Sequence, residues 1–220
     1  DIIKGDNIIT TDGGGNTIFA GAGDDTIILD AGGTDYIDGG TGINTVSYSD
    51  FGTSVKVNLS GSLQGTVANN TGVTTGVLDT LTNIQNVTTG GGNDTIWAGS
   101  TASVSKTGAG TDTIYGGTGV ETINAGSGND YIYASAGNDV IDGADDSDTV
   151  DYSSSTTGIT VTLANDGALT SVSHNISGVF IDNLTNIEGI KGSSTVSNTL
   201  TGNNMNNTLI GGNQTDVIKG

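Results

Sequence analysis

Eighteen residues in the middle of the chain decide the fold: Gly116-Gly117-Thr118-Gly119-Val120-Glu121-Thr122-Ile123-Asn124, then Ala125-Gly126-Ser127-Gly128-Asn129-Asp130-Tyr131-Ile132-Tyr133. Each half is a glycine-rich run, an acid, and three residues whose centre is aliphatic. Outward from there, the acid slot recurs every nine residues at Asp94, Asp112, Asp139 and Asp148, followed two residues on by Ile96, Ile114, Ile141 and Val150; Ser103 fills the one degenerate slot between Asp94 and Asp112. A looser array precedes it, through Asn7, Asn16, Asp25, Asp35 and Asn44, backed by Ile9, Ile18, Ile27, Ile37 and Val46. A last array runs through Asn198, Asn207 and Asp216, backed by Leu200, Leu209 and Ile218.

Glycine permits the positive φ of a tight turn. The three residues after it suit a short strand whose middle side chain points inward while its neighbours point out. Two nonapeptides make one 18-residue turn of a flattened right-handed coil. Stacking such turns builds two parallel sheets with strands ~4.8 Å apart and the aliphatic column between them. The expected fold class is all-β: a right-handed parallel β-roll or β-helix solenoid of stacked 18-residue turns, with wider inserted turns. Trp97, Tyr115 and Tyr133 recur at spacing 18, which predicts an aromatic stack on one sheet.

Composition agrees and excludes other classes. The 220 residues include 38 glycines, no proline and no cysteine, so disulfide scaffolds, zinc ribbons and thiol nucleophiles are out. With 24 acidic against 5 basic residues and a net charge of -19, the chain is no nucleic-acid surface and no anionic-membrane binder. Its longest apolar runs, such as Ile27-Ile28-Leu29 and Val179-Phe180-Ile181, are too short for membrane insertion as a helix. No charged-then-apolar signal segment opens the chain, so the expectation is a soluble protein, or one secreted without such a signal in this stretch. Low hydrophobicity with high charge is the signature of disorder. The regular spacing of Ile, Val and Thr opposes that, and points to order conditional on something that cancels the charge.

A stacked column of acidic loops repels itself unless a cation sits between successive turns. Calcium suits the place, because its 6–8 oxygen ligands can come from carboxylates and the carbonyls of a glycine-rich loop. Here the sequence resembles the RTX family of hemolysin-type calcium-binding nonapeptide repeats, GGxGxDxUx. The resemblance implies a parallel β-roll holding several Ca2+ ions in its turns, export by a type I system, and a secreted, extracellular place at a bacterial cell surface. It implies metal ligands at Asp25, Asp35, Asn44, Asp94, Asp112, Glu121, Asp130, Asp139, Asp148 and Asp216. By the same resemblance, Asp94, Asp112, Asp130 and Asp148 line one edge, and Glu121 and Asp139 share the other. Asn7, Asn16, Asn44, Asn198 and Asn207 are neutral departures, to be held either by weak calcium or by stacked asparagine hydrogen bonds. Asp146 replaces a loop glycine.

The segments between arrays are duplicated at an offset of 103 or 104 residues: Asn44-Thr45-Val46-Ser47-Tyr48-Ser49 matches Asp148-Thr149-Val150-Asp151-Tyr152-Ser153, and Asp79-Thr80-Leu81-Thr82-Asn83-Ile84 matches Asp182-Asn183-Leu184-Thr185-Asn186-Ile187. The expected organisation is one continuous rod. Its first unit, 1–104, has an array at 1–49 and a connecting block at 50–92. The second, 105–220, has an array at 94–152 that spans the junction, a block at 153–192 and the start of a third array at 193–220. Leu81, Ile84 and Val87 read as a corner between short strands, and 60–77 and 164–181 as loops. Asp1-Ile2-Ile3-Lys4-Gly5 and Asp216-Val217-Ile218-Lys219-Gly220 stand in the same phase, so the expected partners are tandem copies of the module or self-association end to end.

Catalytic residues are scarce. The single histidine, His174, reads as a solvated loop residue, and the carboxylate pairs Asp24-Asp25 and Asp145-Asp146 fall in the metal phase. The expected function is a non-enzymatic, calcium-dependent structural or self-assembly segment of a large secreted surface protein, in an S-layer, filament or adhesin. The alternative is the calcium-binding C-terminal module of an RTX enzyme such as a protease, lipase or alginate epimerase.

Overall fold

The structure, a computed structural model, describes residues 5–30, 33–59, 65–69, 78–101, 103–165 and 167–220, with the backbone alone at 65–69, 78 and 104. Among the described residues there are 23 strands and no helix. Most strands are three residues long and centred on the aliphatic of a nonapeptide, as in Thr113–Tyr115 and Tyr131–Tyr133, because the glycine-rich run before each one turns the chain back.

Thr160–Thr162, Thr199–Thr201 and Val217–Lys219 form a three-stranded parallel sheet of their own, and elsewhere the array strands alternate between two facing sheets. One contains Ile8–Thr10, Thr26–Ile28, Thr45–Ser47, Asn86–Thr88, Ser103–Lys106, Glu121–Asn124 and Val140–Asp142 in parallel order; the other contains Thr95–Trp97, Thr113–Tyr115, Tyr131–Tyr133, Thr149–Asp151, Gly189–Lys191 and Thr208–Ile210. Register in the middle array is one 18-residue turn: Ile96 lies beside Ile114, and Ile114 beside Ile132. In the first array some turns take one residue more, with Ile18 beside Ile37 and Ile27 beside Val46. Ile27, Ile37, Ile96, Ile114, Ile132 and Val150 are fully buried in one continuous column. At about 1.5–3 kcal/mol for each buried aliphatic side chain, that narrow column is the main apolar support of the coil. Outside it, Trp97, Tyr115 and Tyr133 stack as predicted, with centroids 5.4 and 4.4 Å apart.

The connecting blocks are hairpins inserted into the coil. Val55–Asn58 pairs in parallel with Thr95–Trp97 and antiparallel with Gly65–Asn69, which pairs antiparallel with Leu78–Thr82. In the second block, Thr170–Asn175 and Val179–Thr185 form an antiparallel hairpin. Strands thus occupy much of 164–181 and part of 60–77, both read from sequence as loops. The Ser, Thr and Asn content that suggested loops belongs to the outward face of half-exposed strands, such as Ser171 and Ser173 alternating with buried Val172 and His174. The corner at 83–85 is present, with Asn83 at φ 55° and its counterpart Asn186 at 51°.

One topological consequence is invisible in any single repeat. Thr45–Ser47 and its duplicate Thr149–Asp151 lie in opposite sheets, because the unit separating them contains an odd number of strands. The first hairpin therefore extends one sheet and the second extends the other.

The loops stack closely enough to need glycine. Gly128 adopts φ +119°, and a Cβ there would strike the carbonyl of Gly110, one turn back. Gly128→Ala is expected to cost roughly 1–3 kcal/mol in urea denaturation at saturating calcium. Gly52→Ala, where a Cβ meets open space, should stay within about 0.5 kcal/mol.

Candidate metal centre

The acid slots lie at the mouths of the strands, buried between stacked loops. Asp25, Asp35, Asn44, Asp94, Asp112, Glu121, Asp130, Asp139 and Asp148 are all at most 2% exposed; Asp216, in the last turn, is half-buried. One oxygen of each side chain serves the backbone. The N–H of Asp94 donates to Asp112 Oδ1 (2.7 Å), that of Asp112 to Asp130 Oδ1 (2.7 Å), and that of Asp130 to Asp148 Oδ1 (2.9 Å). On the opposite edge Glu121 N–H donates to Asp139 Oδ1 (2.9 Å). In the first array the same bond links Asn7 to Asp25 and Asn16 to Asp35. A second ladder runs the other way just outside, Thr111 N–H to Asn93 Oδ1 (2.9 Å) and Ser147 N–H to Asn129 Oδ1 (3.0 Å).

The other carboxylate oxygen is what the ladder leaves over. Oδ2 of Asp25, Asp94, Asp112, Asp130 and Asp148, and Oε1 of Glu121, are buried without a hydrogen-bond partner. The Thr89 and Thr107 hydroxyls lie near Asp94 and Asp112 and ease their charge, but Thr107 donates to the Ala125 carbonyl and neither completes a hydrogen bond to the acid. Burial pushes Asp94 up to about 6, Asp130 to about 7 and Asp148 to about 8. Neighbouring carboxylates add to each rise: Asp112 for Asp94, Asp112 and Asp146 for Asp130, and Asp130, Glu188 and Asp146 for Asp148. Burial also raises the facing pair Glu121 and Asp139, and Ser135 Oγ, donating toward Glu121 Oε2 (3.1 Å) or Asp139 Oδ2 (3.2 Å), offsets only part of it.

These orphaned oxygens fit calcium. They sit in glycine cradles: a Cβ at Gly143 would run into Asp148 Oδ2, and one at Gly110 into the Gly92 carbonyl. Among the described residues no three His, Cys, Asp or Glu side chains converge on one point, so carboxylates alone do not make a site. Carbonyls of the stacked loops have to complete the shell, as the high coordination number of calcium allows. When bound, the ion supplies two positive charges between carboxylates that otherwise repel.

The asparagine slots take the hydrogen-bonded course instead. Asn198 Nδ2 donates to the carbonyls of Ser193, Val196 and Gly211 and to Asp216 Oδ1 (2.8 Å). Asn16 Nδ2 reaches the carbonyls of Asp12 and Gly14. Asn44, a ligand by resemblance, is used on both sides: Oδ1 accepts from Asp25 N–H (3.0 Å) and Nδ2 donates to the Asn83 carbonyl (2.9 Å). The asparagine amide does with N–H groups what the ion would do with charge. Asp146 keeps a left-handed φ of 79° at its glycine position.

Sequence reasoning missed four slots in the connecting blocks. Asp79, Asp182, Glu188 and Gln85 continue the ladder, accepting from the N–H of Asp35, Asp139, Asp148 and Asn44. Their signal was present, a polar side chain two residues before Leu81, Leu184, Ile190 and Val87, but without the glycine run it did not stand out. His174 also departs from its reading. It is 1% exposed on the second hairpin, with Nε2 3.2 Å from Asp182 Oδ2.

Residues 4–33, 85–102, 106–120, 115–150 and 195–220, together more than half of the chain, match the family of the RTX calcium-binding nonapeptide repeat (4 copies). The chain belongs to this family. No curated protein matches it. Among solved structures, the extracellular lipase LipA from Serratia marcescens is similar at 18% identity and a TM-score of 0.30, over 83% of this chain and 36% of the lipase. The RTX chain spans about a third of that protein, and a likeness so weak carries no inference about function.

Two outcomes follow from the RTX slots. Carboxylates ionise near ~4 in an unfolded chain, and between about 6 and about 8 at Asp94, Asp130 and Asp148 in the fold. The folded state therefore holds protons more tightly, and its penalty grows as pH rises through that window. In chelator, circular dichroism should show more β structure at pH 5 than at pH 8. Asp130→Asn, which copies the bonding of Asn198, should give a chain with more β structure in chelator and fewer bound ions by equilibrium dialysis.

Proposed function

We propose that this RTX chain is a non-enzymatic, calcium-dependent structural segment of a large secreted protein at a bacterial cell surface, folding outside the cell when calcium enters its slots. The observation that carries the reading is the run of Asp94, Asp112, Asp130 and Asp148. Each has one oxygen committed to the neighbouring turn and the other buried and unmatched. Ion binding that occurs only between stacked turns becomes folding free energy. A chain with 19 excess negative charges is expanded until then, which suits passage through a type I export channel. His174, sealed against Asp182, is out of reach of any substrate, which supports a structural over a catalytic role. Its partners in this reading are further turns of the same repeat, in tandem or in a second copy, in a lattice, filament or adhesin stalk.

Asp130 stands between two turns, so Asp130→Ala is expected to raise the calcium midpoint of folding several-fold and to reduce the number of bound ions. Asp50→Ala removes the same charge from an exposed position outside the slots and should leave both unchanged. Circular dichroism against free calcium decides between them; equal midpoints, or full β structure in chelator, would remove the reading.

A further inference from the structure

The slot carboxylates fall into two groups by what meets their second oxygen. At Asp139 Ser135 Oγ reaches it (3.2 Å), while at Asp25, Asp94, Asp112, Asp130, Asp148 and Glu121 it is orphaned. In the connecting blocks it is not: Tyr48 Oη donates to Asp79 Oδ2 (3.2 Å), and Tyr152 Oη donates to Asp182 Oδ2 (2.9 Å). Both tyrosines are fully buried, and they are duplicates of each other at the 104-residue offset. Both acids still perform the ladder bond, Asp79 Oδ1 with Asp35 N–H (2.9 Å) and Asp182 Oδ1 with Asp139 N–H (3.0 Å). The hydroxyl thus meets the oxygen that elsewhere is left for a cation. In the second block His174 Nε2 approaches the same oxygen to 3.2 Å, off axis for a hydrogen bond but within ion-pair range if protonated. The corresponding residues of the first block, 70–71, lie outside the described residues.

We propose that Tyr48 and Tyr152 close the two acid ladders from inside, each hydroxyl standing in for an ion, so that the connecting blocks hold together at calcium concentrations that unfold the arrays. The blocks are then calcium-independent nodes from which the arrays on either side wind and unwind. Burial and the facing carboxylate push both phenols well above the ordinary tyrosine value, so each keeps its proton and donates. Aromatic packing holds the rings in place, Tyr48 edge-on to Phe51 (5.2 Å) and Tyr152 against His174 (5.3 Å). Of the six residues before Asp182, Ile176-Ser177-Gly178-Val179-Phe180-Ile181, one is glycine and the last three already belong to a strand, so no glycine-rich loop brings carbonyls to complete a calcium shell there and a protein donor is the available partner.

The proposal rests on the calcium reading above, and hydrogen exchange on the whole chain, titrated with free calcium, separates the two. Segments around Tyr48, Leu81, Tyr152 and Leu184 should remain protected at calcium levels where those around Ile96, Ile114 and Ile132 exchange freely, by about tenfold or more, the size of one charge-assisted hydrogen bond. Tyr152→Phe should bring the midpoint of the second block to that of the arrays and leave the first block unchanged. Tyr48→Phe should do the reverse, and stands in if the other variant does not fold. Tyr131→Phe, whose hydroxyl bonds Asp151 outside the ladder, should separate nothing further. A single midpoint for blocks and arrays in the unmodified chain, or block midpoints indifferent to loss of their own hydroxyl, would overturn the proposal. Arrays protected regardless of calcium would remove the calcium reading and this proposal with it.

Discussion

A carboxylate has two oxygens, and in this chain the backbone claims only one of them. Along the middle array a turn leaves an N–H at the mouth of its strand, and the acid one turn later accepts it. That bond locks successive turns in register and brings the negative charge inside. At those acids the second oxygen is then buried without a hydrogen-bond partner, where burial and the neighbouring carboxylates both disfavour its charge. Coil and charge problem are therefore the same feature. In the arrays each strand contributes one central aliphatic to the core, so the core there is thin and cannot absorb that penalty as a broad one could.

Three ways of meeting the second oxygen, or of avoiding it, occur along the chain. The middle array leaves it without a hydrogen-bond partner at Asp94, Asp112, Asp130 and Asp148. The outer arrays often replace the acid by asparagine, whose amide reaches the loop carbonyls directly, as Asn198 does with Val196 and Gly211. The connecting blocks keep the acid and bring a tyrosine to it. Dependence on calcium is thus graded from turn to turn, and the gradation is set by single side chains in an otherwise uniform backbone.

The hairpins bear on shape as well as on charge. Because an odd number of strands separates equivalent positions of the two units, the same inserted sequence emerges from one sheet in the first copy and from the opposite sheet in the second. The surfaces that the two hairpins present therefore lie on different sheets, although the two inserted sequences are duplicates.

Fold class, the 18-residue register of the middle array and the places of the acids within the arrays were legible in the sequence, because the nonapeptide is a local rule: glycine turns the chain, the acid marks the mouth of the strand, and the aliphatic behind it must point inward. Ile114 beside Ile132 follows from the period alone. What the tertiary structure decided is how each side chain is used once turns are stacked. No local pattern separates Asp130, whose Oδ2 is orphaned, from Asp182, whose Oδ2 meets Tyr152 from 30 residues away. Nor could it show His174 buried, since the alternation of Val172 and His174 against Ser171 and Ser173 acquires an inside only when the hairpin folds onto the coil. Hydrogen bonds between distant residues depend on which turn lies next to which, and that adjacency exists only in the stacked chain.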